Sequence, residues 1–153
     1  MRVTEKIVSN PEEEGVTLEY MRFTKDFEEI KEYVQHKGDL LIGYTQEKDK
    51  TAVRVEDILY FEIVDGMVFA YTVEKIYEVK GRLYQVEEKI SRRTICRVSK
   101  TMLVNIDHII SVRTALNGRL YARMENGEEI LITRRYAKEV EHCFMEEDKD
   151  ERI

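Results

Sequence analysis

"NGRLYARMENGEEILI", residues 117–132, decides the fold class. Two Asn-Gly pairs, at 117–118 and 126–127, bracket a seven-residue stretch of alternating character. Asn-Gly tolerates the positive φ angles of a tight turn, so each pair reads as a reversal of the chain. Successive side chains of a strand point to opposite faces. Leu120, Ala122 and Met124 therefore share one face, and Arg119, Tyr121 and Arg123 take the other. With "HIISVRT" before it, the stretch predicts a three-stranded meander.

Working outward, the same alternation recurs. "TICRV" and "MLVN" lie just upstream. Before them come "LLIGYT", "TAVRV", "ILYFEIV", "MVFAYTV" and "KIYEVK", with Asp-Gly at 65–66 marking another hairpin. "RLYQVEEKIS" breaks the pattern, because Leu83, Val86 and Ile90 fall at helical spacing. A last helix is expected from about Arg134 to Phe144, burying Ala137, Val140 and Phe144, with a frayed acidic tail after it. At the other end, "RVTEKIV" and "VTLEYMRF" read as strands around a break at "SNPEEEG". "KDFEEIKEYVQHK" reads as a helix with Phe27, Ile30 and Val34 on one face, a cap at Thr24 or Asp26, and Gly38 as its stop. The expected architecture is mainly β with short helices, preceded by a small α+β segment. The expected organisation is an extension over 1–45, a main domain over 46–146 and an acidic tail over 147–153.

Composition narrows the class. An apolar fraction of 42%, with nine Tyr and five Phe, is enough for a packed core, and one Pro with seven Gly argues against disorder. No apolar run approaches the roughly 18–20 residues of a membrane helix, and the first residues lack the apolar stretch of a signal peptide. Cys96 and Cys143 are too few and too isolated for a disulfide framework, so a reducing cytoplasm is the expected location. His36, His108 and His142 lack metal-ligand spacing with either cysteine. No phosphate loop or nucleophile motif appears, so neither catalysis nor a cofactor, metal or small-molecule substrate is expected.

The formal charge is -6, but it is unevenly spread. Residues 1–90 carry 13 basic and 20 acidic side chains, residues 91–140 ten and five, and residues 141–153 two and six. Binding answers to the local field, so the positive middle segment, which includes Arg92 and Arg93, suits a polyanion. The last helix sharpens the point. Thr133 is a good N-cap, yet Arg134 and Arg135 follow it where a helix dipole favours acids. That mismatch costs about 0.3–1 kcal/mol at an exposed site. It is useful if an anion arrives, since free N–H groups, the dipole and two guanidinium groups would converge on it. The alternative is that these arginines pair with Glu128, Glu129 or Glu139. "RVSKT", between two apolar strands, is expected to offer a surface turn whose Lys100, Ser99 and Thr101 donate to phosphate or base acceptors.

In that order and spacing, "VRVEDILYFEIVDG", "ICRVSKTMLVNIDHIISV" and "NGEEILITRRYAKEV" resemble the LytTR family of DNA-binding domains over about residues 50–145. The pattern is an arginine–aliphatic–polar–basic–hydroxyl run (Arg97 to Thr101), then Leu103, Val104 and Asn105. Later come the turn at Asn126 and Gly127 and the helix start Thr133 to Tyr136. The resemblance implies an elongated β fold that inserts inter-strand loops into successive major grooves of double-stranded DNA. It implies Lys100 and Arg135 as base-contacting residues, and Arg97, Ser99, Thr101, Arg134, Tyr136 and Lys138 as backbone contacts. The turn from Asp65 to Val68, which carries an acid and no base, matches a further DNA-touching loop. Asn105 reads as structural, bonding backbone at a strand end. The family commonly acts as homodimers on tandem imperfect repeats. Only about 45 residues precede the match, too few for a receiver domain of ~100 or more. The expectation is a stand-alone transcriptional regulator. A different reading is a protein-interaction module that captures a partner by strand addition, without DNA.

Overall fold

The computed structural model describes residues 2–13, 15–36, 39–90 and 94–151. Gly38, Arg92 and Arg93, named above, lie outside them. The chain divides into two units, Met1–Lys37 and Gly38–Ile153. Among the described residues no helix is long and apolar enough to cross a membrane.

The first unit holds one 3₁₀ turn, Pro11–Glu13, and helix α1, Lys25–His36. The two strands expected over 2–8 and 16–23 are not formed. Alternation makes a strand only where one face can bury and a neighbour completes the ladder. Here Val3 is 83% and Ile7 99% exposed, so there is nothing for the pattern to act on. The Tyr20 ring instead lies 5.3 Å from Phe23 and 5.4 Å from Phe27. Thr24 holds the cap position of α1, its carbonyl accepting the Glu28 N–H at 3.1 Å.

The second unit is β throughout its core. Strands β1 (Leu40–Tyr44), β2 (Lys50–Arg54), β3 (Tyr60–Val64), β4 (Met67–Tyr71), β5 (Ile76–Val79), β6 (Ile95–Ser99) and β7 (Met102–Asn105) form one antiparallel sheet in the order β2-β1-β5-β4-β3-β7-β6. Helix α2, Leu83–Lys89, falls between β5 and β6. Strands β8 (Ile109–Thr114), β9 (Leu120–Met124) and β10 (Glu129–Ile132) form the expected meander, followed by α3, Arg134–Glu151. The last helix thus continues past Phe144 through residues read as a frayed tail. No glycine or proline lies there to stop it.

Two apolar clusters explain the strand patterns. Phe61 and Leu103 join Leu83, Val86 and Ile90 of the α2 segment in one cluster. Tyr60, Val98 and Val104 join Leu120, Ala122, Met124, Ala137 and Val140 in the other. The chain from Ile58 into the start of β3, and most of β7, bury side chains in both clusters, which is why "ILYF" and "MLV" read as continuous apolar runs. The meander needs only one buried face and alternates. Burying side chains of this size contributes about 1.5–3 kcal/mol each before entropy is counted.

The turns follow their sequences. Asp65 (φ 51°) and Gly66 (φ 77°) make a two-residue hairpin between Val64 and Met67. Asn117 (φ 62°) and Gly118 (φ 73°) both take left-handed backbone. Asn126 does not; Gly127 alone has positive φ, and the Met124 N–H donates to the Glu128 carbonyl at 2.9 Å. That turn carries an extra residue, as a three-residue hairpin with a glycine bulge does.

Candidate nucleic-acid interface

Lys100 and Thr101 form the tight turn between β6 and β7, as "RVSKT" predicts. Neither has positive φ, so this is not one of the two-residue turns whose twist matches a hairpin. A bulge compensates. The register runs Arg97↔Leu103 and then Ser99↔Met102, which leaves Val98 without a ladder partner on β7.

The Val98 carbonyl turns to the start of α3. It accepts the Thr133 backbone N–H at 3.0 Å and the Thr133 hydroxyl at 3.3 Å. Val98 lies two residues before Lys100, and Thr133 two residues before Arg135. The stretches "RVSKT" and "TRRY" are therefore joined at one place. The Thr133 carbonyl accepts the Ala137 N–H at 3.0 Å, so Thr133 holds the N-cap position. Its hydroxyl, however, is spent on Val98 rather than on the first turn of the helix. Helix starts leave their first N–H groups unpaired unless a side chain supplies an acceptor.

Arg97 serves the turn from beneath. Its side chain is 20% exposed and its guanidinium donates to Glu87 through Nε at 3.1 Å and Nη2 at 2.9 Å. Nη1 donates to the Lys100 carbonyl at 2.9 Å and the Ser99 carbonyl at 3.4 Å. The Ser99 hydroxyl oxygen accepts the Thr101 N–H at 3.2 Å and lies 3.3 Å from the Thr101 hydroxyl. The Ile63 N–H donates to the Thr101 carbonyl at 2.9 Å. The backbone of 99–101 is thus pinned while the Lys100 side chain stays exposed. The same bond from Ile63 places the Asp65–Gly66 hairpin at the end of the sheet that carries Lys100.

Arg134, Arg135 and Lys138 are exposed and Tyr136 is half-buried against the core. Arg135 has its guanidinium 5.5 Å from the Tyr136 ring centre, a weakly favourable stacking distance. Among the described residues no carboxylate pairs with Lys100, Arg134, Arg135 or Lys138. Glu129, one of the acids that might have neutralised the arginines, pairs with Arg113 at 3.2 Å instead. Gly118 lies against the Arg134 stem, whose Cγ would be 3.2 Å from a Cβ at that glycine. Of the expected contact residues, Arg97 is the basic one whose charge the fold engages internally, while the Ser99 and Thr101 hydroxyls meet each other and Tyr136 packs on the core.

Asn105 behaves as its sequence position implies. It is buried, its Nδ2 donates to the Ile58 carbonyl at 3.0 Å, and its Oδ1 accepts the Asp107 N–H at 3.2 Å. His108 bridges the Glu56 carbonyl (2.6 Å) and the Glu125 carboxylate (2.9 Å). Cys96 is buried and Cys143 half-buried in the meander cluster. Among the described residues no three His, Cys, Asp or Glu are placed to hold a metal ion. Sequence reading missed the Val98 bulge, the Glu87 partner of Arg97 and the seating of Arg134 on Gly118. Only Gly118 carried a local signal, as half of an Asn-Gly pair.

The family described as LytTr DNA-binding domain matches residues 48–145. Sensory transduction protein LytT of Bacillus anthracis is 32% identical over 94 residues, covering 61% of this chain and 38% of the relative. A Staphylococcus aureus protein named as an uncharacterized HTH-type transcriptional regulator is 28% identical over 104 residues, 68% of this chain and 69% of its own length. The chain therefore spans 38% of the length of the Bacillus anthracis LytT and half of the Bacillus subtilis one. A solved LytTr DNA-binding domain from Bacillus cereus superposes with a TM-score of 0.63 at 19% identity, covering 67% of this chain and 94% of that one. It shares the fold, a mostly antiparallel β arrangement with short helices.

Proposed function

The chain belongs to the LytTr DNA-binding domain family, and on that premise we propose that it is a sequence-specific regulator of transcription acting on double-stranded DNA. Two elements read bases: the turn bearing Lys100 and the helix start bearing Arg135. Arg forks suit guanine O6 and N7 in a major groove, each bidentate contact giving about 1–3 kcal/mol of discrimination. Arg134, Lys138, Ser99 and Thr101 donate to phosphate oxygens and set register, with Tyr136 beside them. Arg97 acts through the turn rather than on DNA, because its guanidinium is engaged by Glu87 and two carbonyls.

The observation that carries this reading is the pair of hydrogen bonds that the Thr133 N–H and hydroxyl donate to the Val98 carbonyl. It fixes the spacing of two reading elements that are far apart in sequence. The name of the Staphylococcus aureus relative invokes a helix-turn-helix, whereas this chain presents loops and one helix start to DNA. Among the described residues the three helices are each separated from the next by strands. The protein acts in the cytoplasm as a homodimer on tandem imperfect repeats, and residues 1–45 supply the dimer contact or a regulatory input.

Selection of bound duplexes from a random pool by the purified protein tests this. An operator emerges, and Arg135→Ala lowers the ratio of operator to scrambled binding by about 10- to 100-fold. Lys100→Ala relaxes preference at different positions. Recovery of no preferred sequence overturns the proposal. Capture of a protein partner with no duplex binding even at low salt supports strand addition instead.

A further inference from the structure

The meander is charged unevenly from end to end. Strand β9 joins two turns that lie at opposite ends of it. The turn at Asn126–Gly127 carries Glu125 and Glu128, and Glu129 opens β10 with its carboxylate reaching across β9 to Arg113. The turn at Asn117–Gly118 carries Arg119 and has Arg113 one residue before the end of β8. This second end lies beside α3, because Ile132 pairs with Leu120 and Gly118 touches the Arg134 stem. Arg113 is paired with Tyr121 in register and holds its guanidinium 4.4 Å from that ring centre. Arg119 donates from Nε to the Leu116 carbonyl at 3.1 Å. Both side chains are thereby given an orientation, and the Arg113 side chain remains 60% exposed.

We propose that the Arg113–Arg119 end of the meander is a second phosphate-contacting surface. It is continuous with Arg134 and lengthens the duplex footprint beyond the two base-reading elements. The inference rests on the duplex-binding reading above. Its partner is the sugar–phosphate backbone flanking the operator, because the surface offers one arginine on an exposed strand face and one beside the adjoining turn, with Arg119 held back on the Leu116 carbonyl. The Arg113–Glu129 pair does not prevent this. Exposed ion pairs contribute about 0.2–1 kcal/mol, and a phosphate competes readily with a half-exposed carboxylate. A glycine at 118 serves the arrangement twice. It accepts φ of 73° and lets the turn approach Arg134 to a distance that any Cβ would crowd.

The test is the salt dependence of binding to a selected 30-base-pair duplex (about three helical turns), read by fluorescence anisotropy. The double variant Arg113→Gln/Arg119→Gln should reduce the slope of log affinity against log salt by about 1.8, at about 0.9 per lost phosphate contact. Its ratio of operator to scrambled binding should not change. Arg123→Gln removes the same charge from the same strand face nearer the acidic end, and should leave the slope unaltered. A thermal melt confirms that each variant is folded. An unchanged slope in the double variant, or an equal loss in Arg123→Gln, overturns the proposal while leaving base reading intact. A slope that falls as expected while Arg135→Ala keeps full sequence preference overturns base reading alone. Absence of duplex binding by the unaltered protein overturns both.

Discussion

Replacing Glu87 by alanine separates two roles for Arg97. If Arg97 touches phosphate directly, removing its carboxylate partner frees a guanidinium and deletes a negative charge, so DNA binds more tightly. If Arg97 positions the turn, the same change loosens its anchor and DNA binds more weakly. The structure favours the second sign. Two of the guanidinium nitrogens reach one Glu87 oxygen at 2.9 and 3.1 Å, and a third holds the Lys100 carbonyl at 2.9 Å. The Arg97 side chain is 20% exposed and that of Glu87 42%. Solvent therefore screens the pair, and its contribution sits near the upper end of exposed pairs, about 1 kcal/mol. At about 1.4 kcal/mol per tenfold, binding weakens by up to about fivefold. The midpoint of thermal unfolding falls by about 2–4 °C. No phosphate contact is lost, so the slope against log salt stays as it was. Anisotropy titrations at four salt concentrations measure both quantities. Tighter binding with a steeper slope refutes the positioning role and returns Arg97 to the phosphate-contacting set.

Two further outcomes are expected. Asn105→Ala leaves the buried Ile58 carbonyl and the Asp107 N–H without their partner, costing about 2–6 kcal/mol at roughly 1–3 per orphaned group; a urea melt reads this as a lower midpoint, and an unshifted midpoint refutes it. Alkaline pH should also weaken the fold. Burial, reinforced by Glu62, pushes the Tyr71 phenol from 10.0 to about 12, and burial raises Tyr60 as well. The folded state holds these protons more tightly than the unfolded chain, so their contribution is complete below about pH 10 and is lost as pH rises towards 12. Thermal melts between pH 8 and 12 should show that decline, and Tyr71→Phe should flatten it (a phenylalanine has no proton to lose).

The parts of the fold that were legible in the sequence are those fixed by local chemistry. The Asp65–Gly66 and Asn117–Gly118 turns each adopt two successive positive φ angles, and the strands that follow them, β4 and β9, alternate as written. Leu120, Ala122 and Met124 are buried together. The start of α3 was visible because Thr133 caps and Ala137 and Val140 repeat at helical spacing. The failures have the same origin. "RVTEKIV" places Val3 and Ile7 on one face as a strand does, but a strand exists only when a neighbour supplies hydrogen bonds. The Val98 bulge and the Arg97–Glu87 pair are non-local. Nothing within "ICRVSK" announces that one carbonyl will leave the ladder for a helix 35 residues away. Sequence thus located the basic stretches, while their joining had to be found in three dimensions.

That joining also explains how an acidic chain can present a basic surface. Along β9 the acidic and basic turns are separated by five residues, about 16 Å at the rise of a strand. The Debye length at physiological salt is about 8 Å. Charges at one end of the meander are therefore screened from the other by roughly two such lengths. Glu129 reaches across β9 to pair with Arg113 at 3.2 Å, but the acids at 125 and 128 do little to cancel the field at Arg119, Arg134 and Arg135. A chain with the same composition but with these turns exchanged would keep its formal charge of -6 and lose the patch. For this fold, the turn to which a charge belongs governs affinity for a polyanion more than the total does. The same logic requires the acidic turn to face away from any bound duplex. Moving a basic pair there, by Glu125→Lys with Glu128→Lys, should raise binding to any DNA only slightly at 150 mM salt. A large gain would mean that the far end also reaches the duplex, and the polarity argued here would not hold.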